Sequence, residues 1–386
     1  MSLPNVRPEQ GPTDSGPTDS GPTDSGPTDS GPNPGPTVDV AVPCYRYGEM
    51  LPTAVRSVLD QEGVTVRVLV IDDASGDGSA DVAAELAAAD DRVTVSVHEQ
   101  NRGHIATFNE GVMEWAAADY TMLLSADDAL PPGALRRATA LMEADPDVAF
   151  VYGNALDWDG SLPLPPARTA GAEWKIYSGQ EWLRRRFALG VNPVSSPAAI
   201  VRTSVQKQAG GYDPELLHTS DLEVWMRLAL YGKVGFIAHA DQAYVRGHAS
   251  NMSVAYEDRD GGVGDLRMRL LAYTTLVRKS AGRLRDAERL ERKVRRRLAG
   301  DALLRVSRSY DKGRYDERAA RLLVEFASET VGGAAQLNKL PEWHALRVRT
   351  TLGQKASAML SPLVLTAAAR RLRQVWRRRR LDRAGV

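Results

Sequence analysis

From residue 38 onward, short apolar runs alternate with stretches of helical periodicity. Val38–Val42 reads VDVAV, a short strand, and leads into PCYRYGEMLPTAVRSVLDQ, where Leu51, Val55, Val58 and Leu59 share one helical face. Val66–Ser75, VRVLVIDDAS, is nearly continuous in β-branched residues, as a strand covered on both faces should be. GDGSADVAAELAAAD then predicts a helix with Ser79 near its start, RVTVSVHE a third strand, and NRGHIATFNEGVMEWAAA a loop and another helix. The fourth strand is Met122-Leu123-Leu124 within YTMLLSADDAL, and PPGALRRATALMEAD after it predicts a helix. Strands alternating with helices at this spacing imply right-handed βαβ units, and so an α/β fold with a mainly parallel sheet flanked by helices.

In such sheets ligands sit at the carboxyl ends of the strands. Tyr45, the pair Asp72–Asp73 and the pair Asp127–Asp128 all fall at those ends. Adjacent carboxylates are electrostatically costly unless a cation or hydrogen-bond donors meet them, and hard divalent ions take such oxygen ligands together with substrate phosphates. Either pair taken alone is equally readable as a turn that caps the next helix. Two pairs on one edge point instead to a site for a sugar, a base or a metal. No GxGxxG follows the first strand and no GxxxxGK[ST] occurs, which disfavours a dinucleotide-dependent dehydrogenase and a P-loop NTPase.

Charge divides the chain. Residues 37–254 carry 17 basic and 29 acidic side chains, and residues 255–386 carry 31 and 15. An acidic body thus joins a basic, helix-patterned extension rich in potential i, i+4 ion pairs. Residues 11–30 are four copies of GPTDS, whose Gly, Pro and small polar side chains have no apolar surface to bury, so residues 1–37 are expected to form a disordered tail. The resulting division is 1–37, 38–254 and 255–386. Cys44 is the single cysteine; an isolated thiol among apolar neighbours is expected to be buried and structural. No secretory signal or membrane-spanning run is visible, so the expected location is cytoplasmic. The closing ASAMLSPLVLTAAARRLRQVWRRRRLDR joins a short apolar run to an Arg cluster. It reads either as an interfacial helix on an anionic membrane at its inner face or as a solvated helix packed on the body. No nucleic-acid-binding module is present.

VAVPCYRYGEMLPTAVRSVLDQ, VLVIDDASGDGSADV, NRGHIATFNEGV and LLSADDAL, in that order and spacing, resemble the family 2 glycosyltransferases of GT-A fold. GGYDPELLHTSDLEVWMRLALYGKVGFI looks like that family's acceptor-side signature, and YVRGHASNMS like its closing segment. The resemblance covers about residues 38–253 and implies a GT-A nucleotide-diphospho-sugar transferase fold followed by a C-terminal helical extension.

The resemblance also implies roles. Pro43 and Tyr45 would border the nucleobase, Asp73 would accept a hydrogen bond from it, and Asp72 would orient the base or brace the loop. Asn101, Gly103 and Asn109 would line the ribose and diphosphate, with Arg102 near the phosphates. Asp127 and Asp128 would serve as the metal and ribose carboxylates for Mg²⁺ or Mn²⁺, with His248 completing the metal shell. The commoner family pattern is Asp-x-Asp-Asp, and Ser125 stands at its first position. Asp221 would be the general base that deprotonates the acceptor hydroxyl, and Glu223 an alternative base or a brace. Ser220 stands where the family usually has Glu. Trp225 is expected in the core and Arg227 in an ion pair, while the segment from Trp158 to Val191 is expected to lie over the acceptor side.

The expected activity is transfer of a sugar, with inversion, from a nucleotide-diphosphate sugar donor to a glycan or lipid-linked acceptor in cell-surface or extracellular polysaccharide synthesis. The alternatives are a transferase acting on a small molecule or protein, and a nucleotide-sugar-binding protein without turnover, the latter motivated by Ser125 and Ser220.

Overall fold

The computed structural model describes residues 35–247, 259–359 and 382–386, the side chains of 354–359 excepted. The GPTDS repeats, His248 and the Arg cluster with its interfacial-helix reading lie outside the described residues.

The elements are β1 (Thr37–Cys44), α1 (Leu51–Leu59), β2 (Thr65–Asp72), α2 (Ser79–Ala89), β3 (Val93–Val97), α3 (His104–Asn109), β4 (Tyr120–Leu123), α4 (Ala134–Ala144), β5 (Val148–Trp158), β6 (Glu173–Tyr177), α5 (Gly179–Leu189), β7 (Ala199–Arg202), α6 (Thr203–Ala209), α7 (Ser220–Leu228) and β8 (Lys233–Arg246). The helices α8 (Val263–Lys279), α9 (Ala287–Asp311), α10 (Glu317–Val331), α11 (Ala334–Leu337) and α12 (Pro341–Met359) follow. One sheet runs β3-β2-β1-β4-β7-β5-β8-β6. β1 through β4 are parallel as expected, and β5 pairs with β8 in parallel. β7 enters antiparallel between β4 and β5, and β6 pairs antiparallel with β8 at the edge. The sheet is therefore mixed from β5 to β8. All strands that carry candidate residues still end on the same edge.

Burial explains the strand assignments. Val38, Val40, Ala41, Val42, Val68, Leu69, Val70 and Ile71 are buried, so β1, and β2 from Val68 onward, have neither face in water. Asp39 is the polar exception on β1. Burial pushes its carboxyl up, but the Arg67 fork at 2.7 and 2.8 Å and the Ala117 and Ala118 N–H groups outweigh that and hold it below the usual range. It thereby fixes the turn into β4. The helix expected from Asn101 onward is broken in character, because Glu110–Trp115 continues α3 as a π-helix. Gly111 packs there on β1, where a Cβ would come within 2.4 Å of Ala41 Cβ.

The C-terminal helices share a core with the catalytic half. Leu266, Tyr273, Leu276, Val294 and Leu298 pack in the same cluster as Phe150, Trp182, Phe187 and Trp225. Residues 382–386 dock on β5 and β6, with Lys175 Nζ donating to Arg383 O at 2.7 Å and Tyr177 Oη to Ala384 O at 2.7 Å. Among the described residues no helix is long and apolar enough to cross a membrane.

Candidate active site

The ends of β1 and β2 are tied by a short relay. Arg46 N donates to Ser75 Oγ at 2.9 Å, and Ser75 N donates to Asp72 Oδ1 at 3.0 Å. Arg46 and Ala74 sit at φ 62° and 58°, an uncommon conformation for non-glycine residues that tends to mark ligand-facing turns. Tyr45 projects beyond the strand, 42% exposed, with the Arg46 guanidinium 5.1 Å from its ring centroid. The Pro43 carbonyl accepts from Ala126 N at 3.3 Å and so fastens the turn that bears Asp127. Cys44 is buried as expected. Burial, with the Asp72 and Asp77 charges, pushes its thiol up to about 11, so it is not a nucleophile.

Neither member of the Asp72–Asp73 pair caps a helix; α2 begins after Gly78 with no side-chain cap. Asp73 instead organises the loop from Asn101 to Gly103. Its Oδ1 accepts from Arg102 N at 2.7 Å and its Oδ2 from Gly103 N at 2.9 Å, while Asn101 Nδ2 donates to Asp73 O at 3.0 Å. Both Asp73 oxygens are engaged by protein, whereas Asp72 Oδ2 is buried without a hydrogen-bond partner. Asp72 thus braces its own turn through Ser75, while Asp73 braces the loop from Asn101 to Gly103.

His98, absent from the sequence reading, lies beneath this loop. Its Nδ1 faces Asp73 Oδ1 and its Nε2 faces Glu110 Oε2, each at 2.7 Å, and Arg102 Nη1 donates to the same Glu110 oxygen at 2.8 Å. Burial lowers the imidazole pKa, but the two carboxylates outweigh it and raise the pKa above 6.5. Only the imidazolium donates from both nitrogens. Its stabilisation is therefore fully present below pH 6.5 and is lost as pH climbs through the raised folded value. The stability gap between wild type and His98→Gln is accordingly expected to be largest in mildly acidic buffer and to shrink towards alkaline pH. Thermal melts across a pH series read this directly, and a gap that widens with pH would contradict it.

Asn109 is engaged elsewhere than on a diphosphate. Its Nδ2 donates to Tyr212 O at 2.9 Å and its Oδ1 accepts from Tyr212 N at 2.6 Å, with Gly211 pressed against the amide. His104 Nε2 likewise meets Leu217 O at 2.9 Å. These two contacts join the donor-side helix to the segment that leads into Asp221.

Asp127 and Asp128 occupy a turn that precedes α4, which starts after Gly133 with no side-chain cap, so the pair is not a helix cap either. Asp127 is partly exposed and Asp128 is buried. Arg246 grips the turn from β8: its N donates to Asp128 Oδ1 at 3.0 Å, its Nε to Asp127 O at 3.1 Å, and its guanidinium lies 4.1 Å from the Trp158 ring centroid. Burial, reinforced by Asp127, pushes the Asp128 carboxyl up to about 8. A hard cation between two such oxygens would relieve both effects, so the donor set fits Mg²⁺ or Mn²⁺. Among the described residues no third acidic, His or Cys ligand joins them.

Asp221 lies in the first turn of α7. Asn192 Nδ2 donates to its Oδ2 and Leu222 N to its Oδ1, both at 2.7 Å. Burial pushes its carboxyl up to about 6, suited to a base that must be ionised near neutrality yet able to take a proton. Glu223 is fully buried and grips Arg227, whose Nη1 and Nη2 donate to Gly210 O at 2.9 Å and Gly211 O at 2.6 Å. It is a brace. Trp225 is in the core, its ring 5.6 Å from that of Phe150 and tilted against it. Asn192 was missed from sequence because it sits in an aperiodic Pro/Ser loop just after the segment expected over the acceptor side.

Residues 39–205 match the family described as Glycosyl transferase family 2. The chain carries a family 2 glycosyltransferase domain. An uncharacterized protein of Mycobacterium tuberculosis is 26% identical over 224 residues, 56% of this chain and 68% of its own length. The poly-beta-1,6-N-acetyl-D-glucosamine synthase of Staphylococcus epidermidis is 27% identical over 188 residues; that match takes in 49% of this chain and less than half, 44%, of the synthase. Among solved structures, residues 1–349 of S. aureus TarS in complex with UDP-GlcNAc superpose with a TM-score of 0.57 at 16% identity, covering 81% of this chain and 88% of that one. The mannosyltransferase PcManGT of Pyrobaculum calidifontis, in complex with GDP-Man and Mn²⁺, gives 0.50 at 16% identity over 85% and 90%. At these identities the superpositions establish the glycosyltransferase fold.

Proposed function

We propose that this glycosyltransferase moves a sugar from a nucleotide-diphosphate donor to an acceptor hydroxyl with inversion, in the assembly of a cell-surface or extracellular polysaccharide. The observation that carries the reading is Asp221: a partly exposed carboxylate with its pKa pushed up to about 6, on a segment hydrogen-bonded to helix α3 through Asn109 and His104. A lone base facing the acceptor supports direct displacement. Asp221 takes the hydroxyl proton, the oxygen attacks the anomeric carbon, and the nucleoside diphosphate departs. Asn192 holds the carboxylate through Oδ2.

On the donor side, Tyr45 offers its exposed ring to the base, and the buried Asp72 braces the Ser75 turn beside it. Asp73 and Asn101 shape the loop at Gly103 that borders the ribose. Asp127 and Asp128 would hold Mg²⁺ or Mn²⁺, which when bound neutralises charge on the leaving diphosphate. Arg246, anchored on the same turn, adds fixed positive charge there. The nucleotide sugars bound by TarS and PcManGT and the polymer named for the staphylococcal synthase support a nucleotide-sugar donor and a glycan product.

A panel of UDP- and GDP-linked sugars is expected to give nucleoside diphosphate release with at least one donor, raised by Mg²⁺ or Mn²⁺ and lowered by EDTA. Tight nucleotide binding with no release from any donor, with or without acceptors, would establish the binding-protein alternative instead.

A further inference from the structure

Alongside α5, the first turns of α9 line a groove of about 630 Å³ with five cationic side chains and the apolar Leu290. Arg184 stands on the α5 side, and Arg289, Arg292, Lys293 and Arg296 on the α9 side; all five are exposed. The α9 positions recur every three or four residues and so share one helical face, spanning about 10 Å at 1.5 Å per residue. Asp286 is the one acid in the lining.

The groove is cationic by arrangement, because α9 has acids available. Elsewhere on the helix Arg295 pairs with Glu291 at 2.6 Å, Arg297 with Asp301 at 2.8 Å, and Arg305 with Asp265 at 2.6 Å. On the groove face, among the described residues, Arg292 has only a loose exposed contact with Glu288 at 3.4 Å, and Arg184, Arg289, Lys293 and Arg296 form no ion pair. Gathering like charges without counter-ions is unfavourable unless an anion joins them.

The direction of the groove is fixed at both ends. Gln180 of α5 bonds Arg283 O at 2.8 Å and Arg285 N at 3.0 Å at one end, and Arg297 Nε donates to Leu189 O at 3.2 Å at the other. Within one turn of α9 past the lining residues, Gly190 packs against Arg297 and Leu298, two residues before the Asn192 that holds Asp221. We infer that this groove binds the acceptor: a glycan chain carrying anionic groups, led along α9 towards Asp221. The inference rests on the transferase reading for its final step. Cations on two facing walls suit a narrow chain better than a flat bilayer, and no aromatic side chain lines the groove to stack a nucleobase.

The test uses the full chain with polygalacturonate and inorganic polyphosphate as carboxylate and phosphate probes, dextran as the neutral control, and phosphatidylglycerol vesicles. The triple substitution Arg289→Gln, Lys293→Gln, Arg296→Gln is expected to weaken binding of at least one anionic polymer by about tenfold or more, with a shallower salt dependence. The charge-matched triple Arg278→Gln, Arg314→Gln, Arg321→Gln is expected to bind as wild type does, and dextran is not expected to bind. Thermal melts check that both variants fold. Failure of wild type to bind either polymer, equal losses in the two variants, or a loss confined to vesicle binding would each overturn the proposal. Nucleoside diphosphate release by the wild type, measured in parallel without polymer, reports on the transferase reading independently.

Discussion

Replacing Asp221 with Asn is expected to lower kcat by about 10²–10⁴-fold, the usual worth of a positioned general base. Nucleotide affinity should not change. Asn keeps the shape and its single oxygen still accepts from Leu222 N, so the first turn of α7 should persist although the bond from Asn192 is lost; what disappears is the ability to take the acceptor proton. The wild-type pH profile supplies the companion measurement. Burial raises the Asp221 carboxyl to about 6, so kcat/KM should fall as pH drops through that value and level off above it. The variant's residual activity should lack that acidic limb. Full turnover in Asp221→Asn would remove the base from this residue and, with it, the argument for direct displacement.

How much of this was legible in the sequence varied with the physics involved. The donor half was readable because β1, β2 and β4 are buried on both faces, and near-continuous runs such as VLVI have few other uses. Two acidic pairs at strand ends likewise pointed to one sheet edge. The acceptor half was less readable. β7 has four residues, and β8 is interrupted where its register with β5 shifts around Asn154. Short antiparallel insertions leave little periodicity. Within the site, proximity in sequence could not say which of Asp72 and Asp73 would be engaged by the loop. That depended on the Arg102 and Gly103 N–H groups, about thirty residues on, converging on Asp73. His98 carried a signal that was available, since it directly follows β3 on the functional edge. Arg246 and Asn192 carried none, because an arginine at the end of a strand and an asparagine in a loop are ordinary surface residues until their partners are known.

Glu223→Ala is expected to be among the most destabilising single changes in the catalytic half, by about 3–5 kcal/mol, because it leaves a buried guanidinium uncompensated. Arg227 is 11% exposed at its side chain, and Glu223 is its only carboxylate partner among the described residues. Its remaining hydrogen bonds go to the backbone carbonyls of Ala209, Gly210 and Gly211. That turn precedes Tyr212, whose backbone is clasped by Asn109, so loosening it slackens the joint between donor and acceptor halves. The midpoint of urea unfolding should fall while the slope stays near wild type. Glu223→Gln, which keeps an acceptor oxygen, should lose less. A second pair of variants separates brace from base: below the melting point, turnover per folded molecule should survive in Glu223→Gln and fall by about 10²–10⁴-fold in Asp221→Asn. The reverse pattern, with stability intact in Glu223→Ala and turnover gone in Glu223→Gln, would move the proton-accepting role two residues along α7.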